Sequence, residues 1–167
     1  MKVSKIAHGI FTIEKTYKAS AEAVFSAWGD LESRAQWFIG PDDWKVIRRE
    51  LDFRVGGLEV LHGRFGNGYE PLYESRFYSI VPNQRIVFVY DMHLNGEHHS
   101  VSLATVEIES LEPRKTRLIF TEQVAFFDGT SGQEGTKDRE EGTLALLNRL
   151  AGFLERGSNP SVLRPSS

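Results

Sequence analysis

Glu122 is the acid whose surroundings set it apart. Leu118, Phe120, Val124 and Phe126 alternate with it in steps of two, so on a strand all five side chains share one face, and that face is apolar. A carboxylate there loses hydration, and its pKa rises unless a cation pairs with it. Two roles fit such a group. It is a polar anchor or general acid–base in a pocket, or it is a rim residue or the structural partner of an arginine. Tyr73, Phe77, Phe88, Tyr90 and Phe120 occupy inward strand positions, and Trp28, Trp37, Phe38 and Trp44 lie in a helical segment and the strand after it. These rings serve as pocket walls, with the Tyr90 hydroxyl as a polar handle, or as ordinary core, the reading favoured for Trp28 and Trp37.

The remaining chemistry-bearing residues form weaker patterns. His93 and His98 flank Asn95-Gly96, with Asp91 and Glu97 beside them, so the two rings can approach across a hairpin. Two imidazoles at a turn fall short of the three or four fixed ligands that zinc takes, and no metal site is assigned. Arg48, Arg49 and Arg54, with Lys45, could greet an anionic group, but alternation spreads them over both faces and favours a solvated surface. Gly63-Arg64-Phe65-Gly66-Asn67-Gly68 has the glycines of a phosphate loop without the helix that must follow, so it reads as a hairpin tip. No GxSxG elbow or HExxH pair is present.

Composition narrows the classes further. The 167 residues carry a formal net charge of −3, which offers no basic excess for nucleic acid or anionic lipid. With no cysteine, disulfides, thiolate metal sites and a cysteine nucleophile are excluded. The N-terminal residues form no continuous apolar run of the signal-peptide kind, and no segment reaches the roughly 20 apolar residues of a membrane-spanning helix. A soluble, cytoplasmic protein is expected, with one domain over 1–157 and a disordered tail over 158–167.

The elements that must position these residues follow from periodicity. Residues 10–18 alternate and predict a strand. Ser20 and Asp30 offer N-caps for two short helices, to about Trp28 and Phe38, and Gly40-Pro41 stops the second. Six strands are predicted at 44–53, 58–65, 72–81, 85–94, 100–111 and 116–127, with short Gly-, Asn- and Pro-containing breaks that argue for antiparallel hairpins. After a loop at 128–137 comes a long helix, about 134–156. Asp138 and Glu141 have capping-box spacing, with Ser131 and Glu134 as an earlier alternative, and Gly157 suits the C′ position. Thr143, Leu147, Leu150 and Leu154 form its apolar stripe, with Leu146 and Phe153 beside it.

At this point the residues resemble a known family. The stretches Ala19-Ser20-Ala21-Glu22-Ala23-Val24-Phe25, Trp37-Phe38, Asp52-Phe53-Arg54-Val55-Gly56-Gly57, Tyr78 to Val87, Lys115-Thr116-Arg117-Leu118 and Glu141-Gly142-Thr143, in that order, resemble the START-like (SRPBCC) superfamily. Within it, the chain is similar to the C-terminal domain of the heat-shock-protein-90 ATPase activator and its bacterial single-domain relatives. Leu31 stands where the family often has proline, and Thr143 where tryptophan is common. The resemblance implies an α+β helix-grip fold: a curved seven-stranded antiparallel sheet wrapped around a long C-terminal helix, with two short helices after the first strand and an internal pocket. It implies no shared reaction.

The leading expectation is a binding module for a small apolar or amphipathic ligand, held by Phe77, Phe88, Tyr90, Phe120, Glu122, Leu146, Leu147 and Leu150, with no cofactor. Two alternatives stand beside it. One is a cyclase- or aromatase-type enzyme that pairs Glu122 with Tyr90 or His93. The other is a partner of a chaperone ATPase, although the separate N-terminal domain of the eukaryotic activator has no room here. A homodimer is also open in this superfamily.

Overall fold

Alternating β-branched and aromatic residues, broken by turn-forming Asn and Gly, fold here into a continuous antiparallel meander. The computed structural model describes residues 3–157. Among these, β1 (Ala7–Tyr17) leads into α1 (Ala21–Gly29) and α2 (Leu31–Trp37). Then follow β2 (Lys45–Leu51), β3 (Leu58–Arg64), β4 (Pro71–Val81), β5 (Arg85–Leu94), β6 (Glu97–Glu112), β7 (Lys115–Phe126) and α3 (Gly132–Gly157). The strands form one antiparallel sheet in the order β1-β7-β6-β5-β4-β3-β2, so the first strand closes against the last. This is the helix-grip architecture the sequence predicts. The expected disordered tail, 158–167, lies outside the described residues.

Local chemistry explains the boundaries. Asn83 and Asn95 adopt left-handed φ values of 64° and 51° at the β4–β5 and β5–β6 turns, a conformation asparagine tolerates better than most residues. Ser20 Oγ accepts the Ala23 N–H at 3.1 Å and Asp30 Oδ2 accepts the Ser33 N–H at 3.0 Å, capping α1 and α2 as predicted. The start of α3 corrects the leading expectation. Ser131 Oγ accepts the Glu134 N–H at 3.0 Å, so Ser131 is the cap, Asp138 lies inside the helix, and much of the expected 128–137 loop is helical. Gly157 is the last helical residue rather than the one after it.

One face of the sheet holds the core. On β7, Leu118, Phe120, Glu122, Val124 and Phe126 are all buried, as their spacing requires. The helix α3 lies along this inner face and presents Gly135, Thr143, Leu147, Leu150 and Leu154. Its first turns cross β1 so closely that a Cβ on Gly9 would fall 1.7 Å from Thr136 Oγ1. Further along, the Tyr17 hydroxyl donates to the Leu147 carbonyl at 3.0 Å, and burial pushes this phenol well above its usual range. The short helices close one end through Trp28 and Trp37, whose rings meet edge to face at 4.8 Å. Among the described residues, no helix is long and apolar enough to cross a membrane.

Candidate functional site

Between α3, the inner sheet face and the segment after α2 lies a cavity of about 710 Å³. Its floor comes from alternate residues of β5, namely Phe88, Tyr90, Met92 and Leu94, joined by Phe120 and Glu122 of β7. The pleat makes this selection, since every second residue of a strand faces the same side. Leu146 and Leu147 of α3 form the opposite wall, and Ile39, Pro41 and Trp44 border it after α2. The Trp44 indole fits there because two glycines make room, Gly40 and Gly63, where any Cβ would lie 2.3 and 1.7 Å from the ring.

Of the eight residues expected to hold a ligand, Phe88, Tyr90, Phe120, Glu122, Leu146 and Leu147 line this cavity. Phe77 and Leu150 do not. Phe77 packs edge to face on Phe53 at 5.1 Å, and Leu150 is fully buried in the core.

A polar network crosses one wall. Glu122 is wholly buried, and its Oε2 accepts from the Tyr90 hydroxyl at 2.7 Å, the Ser102 hydroxyl at 2.7 Å and Arg139 Nη1 at 3.0 Å. Arg139 also donates to the Tyr90 hydroxyl at 2.8 Å and, through Nη2, to Ser100 Oγ at 2.8 Å. The other carboxylate oxygen, Oε1, is buried without a partner. Burial, reinforced by the Glu122 charge, pushes the Tyr90 phenol well above its usual range. Burial alone would lower the Arg139 guanidinium, but Tyr90 and Glu122 outweigh it and hold the group above its usual value. Of the two readings left open for Glu122, the arginine partner is present, and it stands in the cavity wall.

Arg139 is the residue that sequence reasoning missed. With the helix start placed at Asp138, it falls in a first turn. With the cap at Ser131, it stands four residues before Thr143 and eight before Leu147, on the buried stripe. Gly135 continues the stripe another turn, and that i, i+4 series is the signal that could have found it.

A second buried pair sits under the short helices. Arg34 Nε and Nη2 bind Glu59 Oε2 and Oε1 at 2.9 and 3.0 Å, and both side chains are 4% exposed. The guanidinium lies 3.9 Å from the Phe38 ring centroid and 4.7 Å from those of Trp28 and Trp37. Arg34 lines the same cavity.

The histidines divide. His93 and His98 do meet, with rings stacked at 4.6 Å, and His98 Nε2 lies 2.8 Å from Asp91 Oδ1. No group of three potential ligands gathers there or elsewhere among the described residues. His93 does not border the cavity and is no partner for Glu122, so of the two acid–base pairs considered only Tyr90 with Glu122 is formed. His99 instead lines the cavity, its Nδ1 2.5 Å from Asp128 Oδ2. The basic cluster does not converge. Arg48 pairs with Glu50 at 2.9 Å, Arg54 with Asp52 at 2.8 Å, and Arg49 donates to the Phe38 carbonyl. The glycine-rich segment is a hairpin tip, closed by Phe65 N–H donating to the Tyr69 carbonyl.

Comparison with known proteins places this architecture. A solved protein from Rhizobium loti is 43% identical, covering 90% of this chain and 99% of its own, with a TM-score of 0.80. An uncharacterized protein from Rhizobium leguminosarum is 38% identical over 91% of this chain and 97% of its own, with a TM-score of 0.83. The AHSA1 protein of Silicibacter pomeroyi, 23% identical over 87% of this chain and 97% of its own, shares the fold at a TM-score of 0.71. No curated protein matches the chain. The family described as "Activator of Hsp90 ATPase homolog 1-like protein" matches residues 18–155, and the chain belongs to that family, with its START-like helix-grip fold.

Proposed function

We propose that the protein binds a small, largely apolar molecule with one polar end, in the cavity between the sheet and α3. The carrying observation is a cavity of about 710 Å³ with aromatic and aliphatic side chains on its floor and a charge-balanced polar network on one wall. That combination matches small-molecule sites, which are concave and mostly apolar with a few placed polar groups. Rings such as Phe88 and Phe120 contact the body of the ligand. The Arg139–Glu122 wall, with the unpartnered Glu122 Oε1, receives its polar end. The reading of Tyr90 and Glu122 as an acid–base pair is less favoured, because the phenol is held protonated and the carboxylate is committed to three donors.

The test is native mass spectrometry of gently purified protein, with extraction and identification of any bound compound, followed by thermal melts with that compound added back. A ligand at a hundred times its Kd stabilises the folded state by about 2.7 kcal/mol. For a chain of this length that raises Tm by roughly 5–11 °C. A clean unliganded mass, together with flat melts across a chemically broad panel, would refute the binding reading. Weight would then pass to a chaperone-ATPase partner bound at the outer surface.

A further inference from the structure

Strand alternation should send His99 and Ser100 to opposite faces of the sheet, yet His99 lines the cavity and Ser100 binds Arg139 in its wall. The cause is a β-bulge. Met92 pairs with Ser100 but His93 pairs with His98, so His99 is an extra residue on β6. Such an insertion re-aims a side chain. Here it brings the imidazole to the cavity beside Ser100, whose hydroxyl accepts from Arg139. Both His99 and Arg139 contact the Phe126 ring, the His99 ring at 5.3 Å and the Arg139 guanidinium at 5.6 Å.

Asp128 orients this imidazole. Its Oδ2 lies 2.5 Å from His99 Nδ1, while its Oδ1 accepts from the Thr130 hydroxyl at 2.6 Å and the Thr130 N–H at 3.2 Å. Burial opposes its charge, but the Thr130 and His99 hydrogen bonds outweigh that and hold the carboxyl below its usual range. In the neutral imidazole, a carboxylate accepting at Nδ1 places the proton there and leaves Nε2 as the lone-pair acceptor. That nitrogen has no partner among the described residues. Arg139 has capacity left as well: a guanidinium carries five N–H groups, and its Nε has no partner among them.

We infer that the polar end of the cavity takes a weakly acidic hydroxyl, a phenol or enol, with His99 Nε2 as its proton acceptor and Arg139 beside the oxygen. The phenol O–H bond breaks, its proton moves to Nε2, and the electron pair stays on oxygen as phenolate. The imidazolium is then held by Asp128 and the phenolate by Arg139, a stabilisation of both charges that water would have to reorganise to match. The titratable and charged groups around His99 are His98 next to it on β6, Asp128 before α3, Tyr69 from the β3–β4 turn, whose phenol is raised by burial and then by the Asp128 charge, and Asp138 and Arg139 from α3. This inference rests on the ligand-binding reading of the cavity.

The probe is 4-hydroxyazobenzene, whose visible spectrum distinguishes phenol from phenolate, titrated beside its methyl ether. The wild-type protein should bind the phenol at least tenfold more tightly than the ether and lower the apparent pKa of the bound dye by about one unit or more, which means phenolate bound about tenfold more tightly than phenol. His99→Gln should erase the discrimination and return the dye to its free pKa, and Asp128→Asn should reduce both effects. Equal binding of phenol and ether by the wild type, or an unshifted bound dye, overturns the role of His99 while the cavity reading stands. Binding of neither compound overturns this inference, while the native-mass measurement and melt panel decide separately whether the cavity binds a ligand.

Discussion

Replacing Arg139 by methionine tests the central wall of the cavity. The substitution keeps much of the aliphatic stem but strands a carboxylate that is 0% exposed, and it deprives Tyr90, Ser102 and Ser100 of a shared donor. Removing one partner of a buried ion pair costs about 3–5 kcal/mol. Arg139 is itself 15% exposed, so some water reaches the gap, and the low end, about 3 kcal/mol, applies. That corresponds to a Tm lower by roughly 6–12 °C. The assay is urea unfolding followed by circular dichroism, with Glu122→Leu/Arg139→Met as the second arm. The double variant should recover most of the loss, because a well-packed apolar pair replaces a buried ion pair at little net cost. The sign of the pH effect follows from burial. A stranded carboxylate is disfavoured in its charged form, so the deficit of the single variant should shrink on acidification and grow as pH rises. A single variant within about 0.5 kcal/mol of wild type, the range of ordinary surface substitutions, would refute the pairing.

Two further outcomes follow from named contacts. Arg34→Lys keeps the charge but cannot span both oxygens of Glu59 or stack flat against Phe38, so it should cost about 1.5–3 kcal/mol, the worth of one charged hydrogen bond; wild-type stability in urea would show the fork to be dispensable. Gly63→Ala puts a Cβ 1.7 Å from Trp44 Nε1 and forces the indole from its slot. A loss of about 1–3 kcal/mol with a red-shifted tryptophan emission is expected, and an unchanged spectrum would contradict the placement of Trp44.

How much of this was legible in the sequence depends on the range of the interaction involved. Strands and turns were, because period-two alternation and the asparagines at 83 and 95 act over a few residues. The burial of Glu122 was legible for the same reason, through its four apolar neighbours on β7. The start of α3 was ambiguous because Ser131 and Asp138 both carry capping spacing, and choosing the later one hid Arg139. The Arg34–Glu59 pair left no local trace. Its members stand 25 residues apart on different elements, and Glu59 is buried next to Val60 and Leu61, three consecutive buried residues that blur the alternation a strand search uses. The bulge at His99 was equally hidden, since a one-residue slip in pairing is a property of two strands together.

The two ion pairs share a logic that bears on why a cavity exists at all. In each, the sheet supplies the carboxylate and a helix supplies the arginine: Glu59 of β3 with Arg34 of α2, and Glu122 of β7 with Arg139 of α3. Apolar packing is non-directional, and helices held by it alone would settle against the sheet until the space was filled. A guanidinium–carboxylate contact has a fixed length and orientation, so each pair sets how closely its helix approaches. Both arginines line the cavity, and both are neutralised within its walls. The same contacts that hold the helices off the sheet therefore balance the charge of these two arginines, which suits an apolar body and leaves the reading of a polar end to the groups with capacity to spare: Glu122 Oε1, the Arg139 Nε and the bulge-aimed His99.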